Sequence, residues 1–265
     1  IHLDIDKAEI DKNVKTDVAV IADCKVSLPA ITRLLNKNNH KEWIDSFKPL
    51  HEIEYEKVIR PAIHPTNGPL LMGEVVNAVA EATGGEAILV NDVGLNQMFS
   101  CRYFKLNRKR SIASSGGLGT MGFGYGAAIG AQMALGRDQR VVMFTGDGSF
   151  HMNLNEACTA VSYELPIITV IFNNQVLGMV RQWQTAFYGK RFSQTDPHRK
   201  TNFVKLAEGF GLKGYHCENL AQFQEAFADA LKQKGPTWIE CMIDKDEKVL
   251  PMIPGGGDIN DIIMK

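Results

Sequence analysis

The chain has 265 residues, 45% of them hydrophobic and 22% charged, with a formal net charge of −1 at pH 7. That length supplies material for one large or two modest cores, and the near-neutral balance gives no electrostatic reason to expect nucleic acid or an anionic membrane as partner. No apolar run approaches the ~20 residues of a membrane span and the start has no signal-peptide layout, while five scattered cysteines without a Cys-x-x-Cys point to reduced thiols in a cytoplasmic protein.

In chain order, Ile1 to Asp6 alternates like a strand, and Asp23 to Leu35 reads as one helix at most, with Pro29 placed to shorten it. One strand and one helix cannot bury their own faces. Residues 1–45 are therefore read as the C-terminal remnant of a preceding α/β domain, and the chain as a piece of a longer one. Residues 46–68 read as a connector, rich in charge and carrying Pro49, Pro61, Pro65 and Gly68. The main domain is assigned to residues 69–265. Pro69 suits the first position of a helix whose apolar face is Leu71, Met72, Val75, Val76 and Val79, ending near Thr83-Gly84-Gly85.

Ala87 to Val90 reads as a buried strand opening into a loop from Asn91 to Met98, with a further strand around Ser111 to Ala113. The basic tract from Lys105 to Arg110 reads as a solvated loop. Ser114 to Gly126 is crowded with glycine, which suggests backbone closely approached by a ligand or another element, and a helix runs from Ala127 to Leu135. Gly117, Gly119 and Gly122 fit a Gly-x-Gly-x-x-Gly pattern, but no acidic residue follows at a strand end about 20 positions on, so a dinucleotide site is not supported.

Arg140 to Thr145 and Ile167 to Phe172 are apolar runs typical of strands buried on both faces. Between them Asn153 and Glu156 stand in capping-box spacing ahead of Leu154, Ala157, Cys158 and Val161, which makes a βαβ unit. A right-handed crossover brings both carboxyl ends to one sheet edge. Asp147, just past the first strand, and Asn174, just past the second, then converge, and hard oxygen donors of that kind suit Mg²⁺ shared with a phosphate. Gly148 has no Cβ to obstruct a phosphorylated ligand. Ser149 lacks the Gly-x-Ser-x-Gly elbow of a nucleophile.

Beyond Asn174, Met179 and Trp183 share a face if the segment is helical, and their position favours a substrate wall. Asn202 can cap a helix to Glu208 before a strand near Tyr215 to Cys217. Asn219 with Gln222 opens a helix whose Phe223, Phe227, Ala230 and Leu231 face inward, and Thr237 to Ile243 is a last strand. The tail from Pro251 to Gly257 reads as irregular and mobile.

Gly146-Asp147-Gly148 followed by Asn173-Asn174 resembles the signature of thiamine diphosphate enzymes. The segments Ser115 to Gly124, Gly178 to Gln184 and Val249 to Gly255 look like the acetolactate (acetohydroxyacid) synthase family in particular, and the resemblance covers essentially the whole chain. It implies a three-layer α/β sandwich with a mostly parallel sheet, the diphosphate-binding fold. It also implies Mg²⁺ held by Asp147, Asn174 and the backbone carbonyl of Val176, the ion in turn holding thiamine diphosphate.

By position, Gly94, Leu95, Asn96 and Gln97 lie where that family touches the diphosphate, with Val93 next to them in the implied cofactor site, and Met121, in the same site as Gly119, is the implied apolar wedge that bends the cofactor. Gly146, Gly148, Ser149, Leu177, Gly178 and Met179 complete the implied cofactor site. Met179 and Trp183 line the implied substrate pocket, with Trp183 favouring a 2-ketobutyrate acceptor.

The implied reaction is decarboxylation of pyruvate and condensation of the two-carbon unit with a second 2-keto acid, in branched-chain amino acid biosynthesis. The resemblance further implies a homodimer or tetramer, and leaves room for a regulatory subunit and for FAD in the full-length enzyme. The family's activating glutamate belongs to an N-terminal domain outside these residues, so no catalytic residue is assigned and the chain alone is expected to be inactive. Two departures stand out: Leu95-Asn96 replaces the usual Gln-His, and Tyr125-Gly126 replaces Leu-Pro. By the resemblance, losing that histidine removes a contact to the diphosphate or to a reaction intermediate. The rival readings are another thiamine diphosphate enzyme of 2-keto acids (pyruvate oxidase or decarboxylase) and a non-catalytic assembly module on the same fold.

Overall fold

Val142 and Phe144 send their side chains into one hydrophobic core, Val141 and Met143 into another. The same alternation separates Leu89 from Ile88 and Val90, and Val170 and Phe172 from Ile171. Side chains alternate with a period of two along a strand, so a run that is apolar throughout needs cover on both faces. The computed structural model, which describes residues 1–264, supplies it.

Two compact units make up the chain, one from Ile1 to His51 and one from Glu52 onward. In the first, β1 (His2–Asp4) pairs in parallel with β2 (Ala19–Ile21), a strand the sequence reading lacked. Helix α1 (Cys24–Thr32) starts where the Asp23 carboxylate accepts the Lys25 N–H, and it carries Pro29 inside it. Ser27 is the one buried residue of this unit, while Ile5, Val18 and Ile21 stay exposed.

The stretch read as a connector is largely helical. After α2 (Lys41–Ser46) come α3 (Lys48–Glu54), a π-helical turn (Tyr55–Ile59) and α4 (Arg60–Ile63). Pro49 and Pro61 each occupy the second position of their helix, and Pro61 follows the π-helical turn without a break in helical backbone.

The second unit holds a six-stranded sheet in which every neighbouring pair is parallel. Its strands are β3 (Ile88–Asn91), β4 (Ile112–Ala113), β5 (Val141–Gly146), β6 (Ile168–Asn173), β7 (Lys213–Cys217) and β8 (Thr237–Met242), in the spatial order β4-β3-β5-β6-β8-β7. One face is covered by α5 (Met72–Ala82), α6 (Leu95–Tyr103) and, from later in the chain, Phe223, Ala226 and Phe227. The other is covered by α7 (Phe123–Leu135), by Phe150 at the end of the short α8 (Asp147–Phe150) and by α9 (Ala157–Ser162). Helix α10 (Gly178–Phe187) follows β6, α11 (Phe203–Phe210) adds Phe203 and Ala207 to the second core, and α12 (Leu220–Ala230) carries the residues of the first. Each fully buried Val, Leu, Ile or Phe contributes about 1.5–3 kcal/mol.

The chain leaves β3 toward β4 and returns across it to β5, so the direction of winding reverses between β3 and β5. Parallel sheets open a crevice at the carboxyl ends of their strands where such a reversal occurs. The loops after β3, β5 and β6 meet there.

Several element starts differ from the sequence reading. Helix α5 begins at Met72, beyond Pro69, because the Glu74 carboxylate takes the Leu71 N–H (2.9 Å) and Glu247 takes that of Met72 (3.1 and 3.3 Å). The expected loop from Asn91 to Met98 turns helical at Leu95, and α7 starts at Phe123 rather than Ala127. Asn153 makes no cap: its Nδ2 donates to the Gly122 carbonyl (3.3 Å), and a 3-10 turn (Leu154–Glu156) leads into α9. Asn202 and Asn219 do cap α11 and α12, accepting from Lys205 and Gln222 N–H groups. The tail is irregular but tied down. Gln182 exchanges two 3.0 Å bonds with the Val249 backbone, and Met252 pairs with Ile263.

Glu247 makes the fold pH-sensitive. Burial raises its carboxyl from 4.5 to about 8, with Asp244 and Glu74 pushing the same way against the Met72 N–H. The unfolded chain releases this proton first, so stability is full below about 4.5 and falls as pH rises toward 8. Denaturant midpoints are expected to be lower at pH 9 than at pH 5. Glu247→Gln, which still accepts from Met72, should flatten that profile; an unchanged slope in the variant would refute the assignment.

Candidate functional site

Three loops are clasped by one buried carboxylate. Asp92, at the end of β3 and 1% exposed, accepts at Oδ1 from its neighbour Val93 N–H (2.9 Å), from Gly122 N–H (2.9 Å) and from the Ser149 hydroxyl (2.7 Å). Its Oδ2 accepts from Thr145 (3.2 Å). The loop after β3, the glycine-rich loop and the loop after β5 are thereby fixed to one another. Ser149 spends its proton on Asp92, which accords with its exclusion as a nucleophile. Asp92 was not singled out from sequence, although a carboxylate at a strand end beside the winding reversal is a readable signal.

Gly122 and Gly124 let this closure happen. A Cβ on Gly122, whose φ is +89°, would lie 2.8 Å from that of Met152. One on Gly124 would lie 2.6 Å from Met143 Cε and 3.2 Å from the Asp92 backbone nitrogen. Gly116 and Gly117 meet nothing.

At the next strand end Asp147 is 2% exposed, and its Oδ1 has no hydrogen-bond partner. Burial raises its carboxyl from 3.8 to about 6, against the pull of Arg199 and of backbone N–H groups including those of Gly148 and Asn174. Asn174, past β6, is therefore beside Asp147, as the parallel pairing of Gly146 with Phe172 requires. The Asn174 Oδ1 accepts from Val176 N–H (3.2 Å). Its neighbour Asn173 turns instead to Glu240 (2.7 Å).

These loops enclose a cleft of about 150 Å³. One water needs roughly 10–15 Å³ of such space, so the cleft admits an ion with a phosphate-sized group. The loop after β3 contributes Val93, Gly94, Leu95 and Asn96; the glycine-rich loop contributes Met121. From the loop after β5 come Gly146 to Ser149, and from beyond β6 Asn174 and Val176 to Met179. Met72, Phe172 and Val180 also line it, and sequence reasoning missed all three because they arrive from the faces of packed elements.

Two of the residues expected at the cofactor site stand outside its lining, and Trp183, expected in the substrate pocket, lies beside it. Gln97 donates to Ser114 (2.8 Å), and Gly119 stands outside the lining at φ +60°. Trp183 lines an adjoining cavity of about 540 Å³ with Val180, Gln184 and Tyr188. Met179 borders both spaces. At the departure Leu95-Asn96, Leu95 is buried and the Asn96 amide donates to the Val93 carbonyl (2.9 Å), leaving its buried Oδ1 without a partner.

The donors fit a small hard cation better than a soft one. A carboxylate oxygen with no partner, an amide oxygen and backbone carbonyls are the ligand types Mg²⁺ takes. Among the described residues no cluster of three or more His, Cys, Asp or Glu side chains could hold a metal. A site with one carboxylate leaves half of a divalent charge uncompensated, so it suits an ion that arrives with an anionic phosphate group.

Residues 92–241 match the family described as thiamine pyrophosphate enzyme, C-terminal TPP binding domain. Over 99% of its length the chain is 37% identical to a probable acetolactate synthase large subunit of Methanococcus aeolicus, 38% to the acetolactate synthase large subunit of Lactococcus lactis, and 37% to the acetolactate synthase isozyme 1 large subunit of Escherichia coli. It spans 44–46% of the length of these relatives.

Proposed function

The chain belongs to the thiamine pyrophosphate enzymes through its C-terminal TPP-binding domain, and on that premise we propose that its cleft holds the diphosphate of the cofactor through Mg²⁺, with Asp147, Asn174 and the Val176 carbonyl as protein ligands. The observation that carries this reading is the buried, unpartnered Oδ1 of Asp147 in a cleft with room for an ion and a phosphate group. Gly148 gives close access to the backbone there. Leu177 and Met121, whose methyl carbons come within 4 Å of a Cβ built on Gly148, shield it from water. Gly94, Leu95 and Asn96 line the same cleft.

When bound, thiamine diphosphate supplies the electron sink that lets a 2-keto acid lose its carboxylate. The relatives' names support acetolactate synthesis as the reaction of the longer protein, from pyruvate and a second 2-keto acid, pyruvate or 2-ketobutyrate, in branched-chain amino acid biosynthesis. Their designation as large subunits supports a smaller regulatory partner, alongside a homodimer or tetramer of the large chain. Five free cysteines support a cytoplasmic setting. The activating glutamate is placed in the part of the relatives' length that this chain does not span.

Titration with thiamine diphosphate, with and without Mg²⁺, tests the binding half of the proposal, and Mg²⁺-independent or absent heat would overturn it. Product analysis on the longer protein tests the other half: acetolactate supports it, whereas acetyl phosphate or free aldehyde would not.

We assign acceptor choice to the cavity beside the cleft. Trp183, 41% exposed, stacks edge-on against Phe187 at 5.1 Å and offers an apolar wall beside Met179. One methylene in a hydrophobic pocket is worth about 1–3 kcal/mol. Trp183→Leu in the longer protein is therefore expected to lower preference for 2-ketobutyrate over pyruvate about tenfold, read as the product ratio in competition. An unchanged ratio would take Trp183 out of the pocket.

A further inference from the structure

One cation, outside the cleft's lining, comes up against two of its lining residues from a segment that neither the motif nor the resemblance assigned. The Arg199 Nη1 lies 3.9 Å from Asp147 Oδ2 and 3.7 Å from where a Cβ on Gly148 would be. That nitrogen is buried and has no hydrogen-bond partner, although the side chain as a whole is 28% exposed. A guanidinium N–H without an acceptor, beside a carboxylate whose Oδ1 is also unpartnered, marks a place for two further partners, an acceptor atom for the N–H and a cation for the oxygen. The guanidinium, protonated and without a free lone pair, cannot ligate a metal, so the group it awaits is an acceptor.

Arg199 is held there by contacts on both sides of it. Asp147 begins α8, and one turn later His151 sets its Nδ1 against the Asp147 carbonyl (2.5 Å) and its Nε2 against the Thr201 hydroxyl (2.7 Å). Upstream, the Thr195 carbonyl accepts from Leu177 N–H (2.8 Å), and its hydroxyl donates to Gln184 (2.9 Å). Thr195 is 1% exposed. The segment between Thr195 and Thr201 is thus pinned at both ends, by Leu177 on one side and by the residue following α8 on the other.

We propose that Arg199 is a diphosphate-binding residue of this chain. Its guanidinium donates to a phosphate oxygen at Gly148, beside the ion held by Asp147. The proposal rests on the cleft being a diphosphate site. Within that site it names the cationic contact that Leu95 and Asn96 do not provide: Leu95 is apolar, and the Asn96 amide is neutral, with one N–H given to the Val93 carbonyl. Guanidinium is the side chain whose planar fork best matches phosphate oxygens.

The test is calorimetric titration of the chain and of its Arg199→Ala and Arg199→Lys variants with Mg²⁺ and thiamine diphosphate, Mg²⁺ and inorganic diphosphate, and thiamine alone. A hydrogen bond to a charged group corresponds to a loss of about tenfold to a hundredfold in affinity. That loss is expected in Arg199→Ala for both diphosphate ligands, with a smaller one in Arg199→Lys and none for thiamine. Circular dichroism and thermal melting report whether the variants remain folded, and Arg199→Lys carries the test if Arg199→Ala does not.

Equal affinity in wild type and variants overturns the proposal while leaving the diphosphate site standing. Tighter binding in Arg199→Ala overturns it as well, since it would make the guanidinium a counter-ion of Asp147 that competes with Mg²⁺. If the wild-type chain takes up neither diphosphate ligand, the site reading itself fails, and this assignment with it.

Discussion

Replacing Asp147 with alanine is expected to eliminate Mg²⁺-dependent binding of thiamine diphosphate and, in the same protein, to raise the stability of the chain without ligand. The first effect follows from the charge count. Asp147 is the one carboxylate lining the cleft, and without it the ion keeps an amide and carbonyl dipoles as protein ligands. A loss of at least about a hundredfold, roughly 2.7 kcal/mol, is expected.

The second effect follows from linkage. Burial raises the Asp147 carboxyl from 3.8 to about 6, so above that range ionising it costs the folded state more than the unfolded one. Each unit of pKa is worth about 1.4 kcal/mol, which makes that cost on the order of 2–3 kcal/mol at pH 7. Part of the gain is offset by leaving Arg199 without its neighbour. Asp147→Asn, which keeps shape and an oxygen, should fall between wild type and alanine in affinity. Melting curves with and without Mg²⁺ and the cofactor read both quantities at once. An alanine variant that keeps wild-type affinity, or that is less stable than wild type without ligand, would contradict the arrangement. Stability given up at a binding site is a common cost of function.

The βαβ unit was legible because its signals are local and periodic. Runs of apolar residues at Val141 to Phe144 and Ile168 to Phe172, together with the handedness of the crossover, were enough to bring Asp147 and Asn174 to one edge. The start of α5 was not legible in the same way. Glu247 caps it from 175 positions along the chain, and no local pattern announces such a partner. Glycine-rich sequence was ambiguous for a related reason. Gly122 and Gly124 are pressed by neighbours while Gly116 and Gly117 face open space, and that distinction exists only once α7 is docked. Asp92 and Arg199 belong to this second kind. Each acquires its meaning from loops that close over one another, Asp92 by joining three of them and Arg199 by being pinned through Thr195 and Thr201.

Trp238→Ala is expected to produce the largest loss of stability of any single truncation in the second core. Trp238 is 1% exposed on β8, and its ring meets Phe150 edge-on at 4.8 Å, Phe210 at 5.9 Å and Tyr125 at 6.3 Å. Truncating a buried Trp costs about 3–5 kcal/mol from lost transfer free energy and the cavity left behind. The indole Nε1 also donates to the Tyr125 hydroxyl at 3.0 Å, so the variant strands a buried phenol, at roughly 1–3 kcal/mol more. Set against a total of about 5–15 kcal/mol for a typical domain, the sum threatens folding itself. Tyr125→Phe removes one hydroxyl and strands the indole N–H, so it should cost no more than about 1–3 kcal/mol. Urea unfolding followed by circular dichroism, which does not depend on the deleted indole, ranks the two. A cost below about 1 kcal/mol for Trp238→Ala would mean the core relaxes into the space. The site should feel the change as well. Phe150 closes α8, whose first residue is Asp147, so loss of the ring beneath Phe150 loosens the support of the cleft's one carboxylate. Trp238→Phe, which refills most of the volume, should recover cofactor affinity ahead of full stability, because it restores the contact to Phe150 and leaves the Tyr125 hydroxyl unpaired.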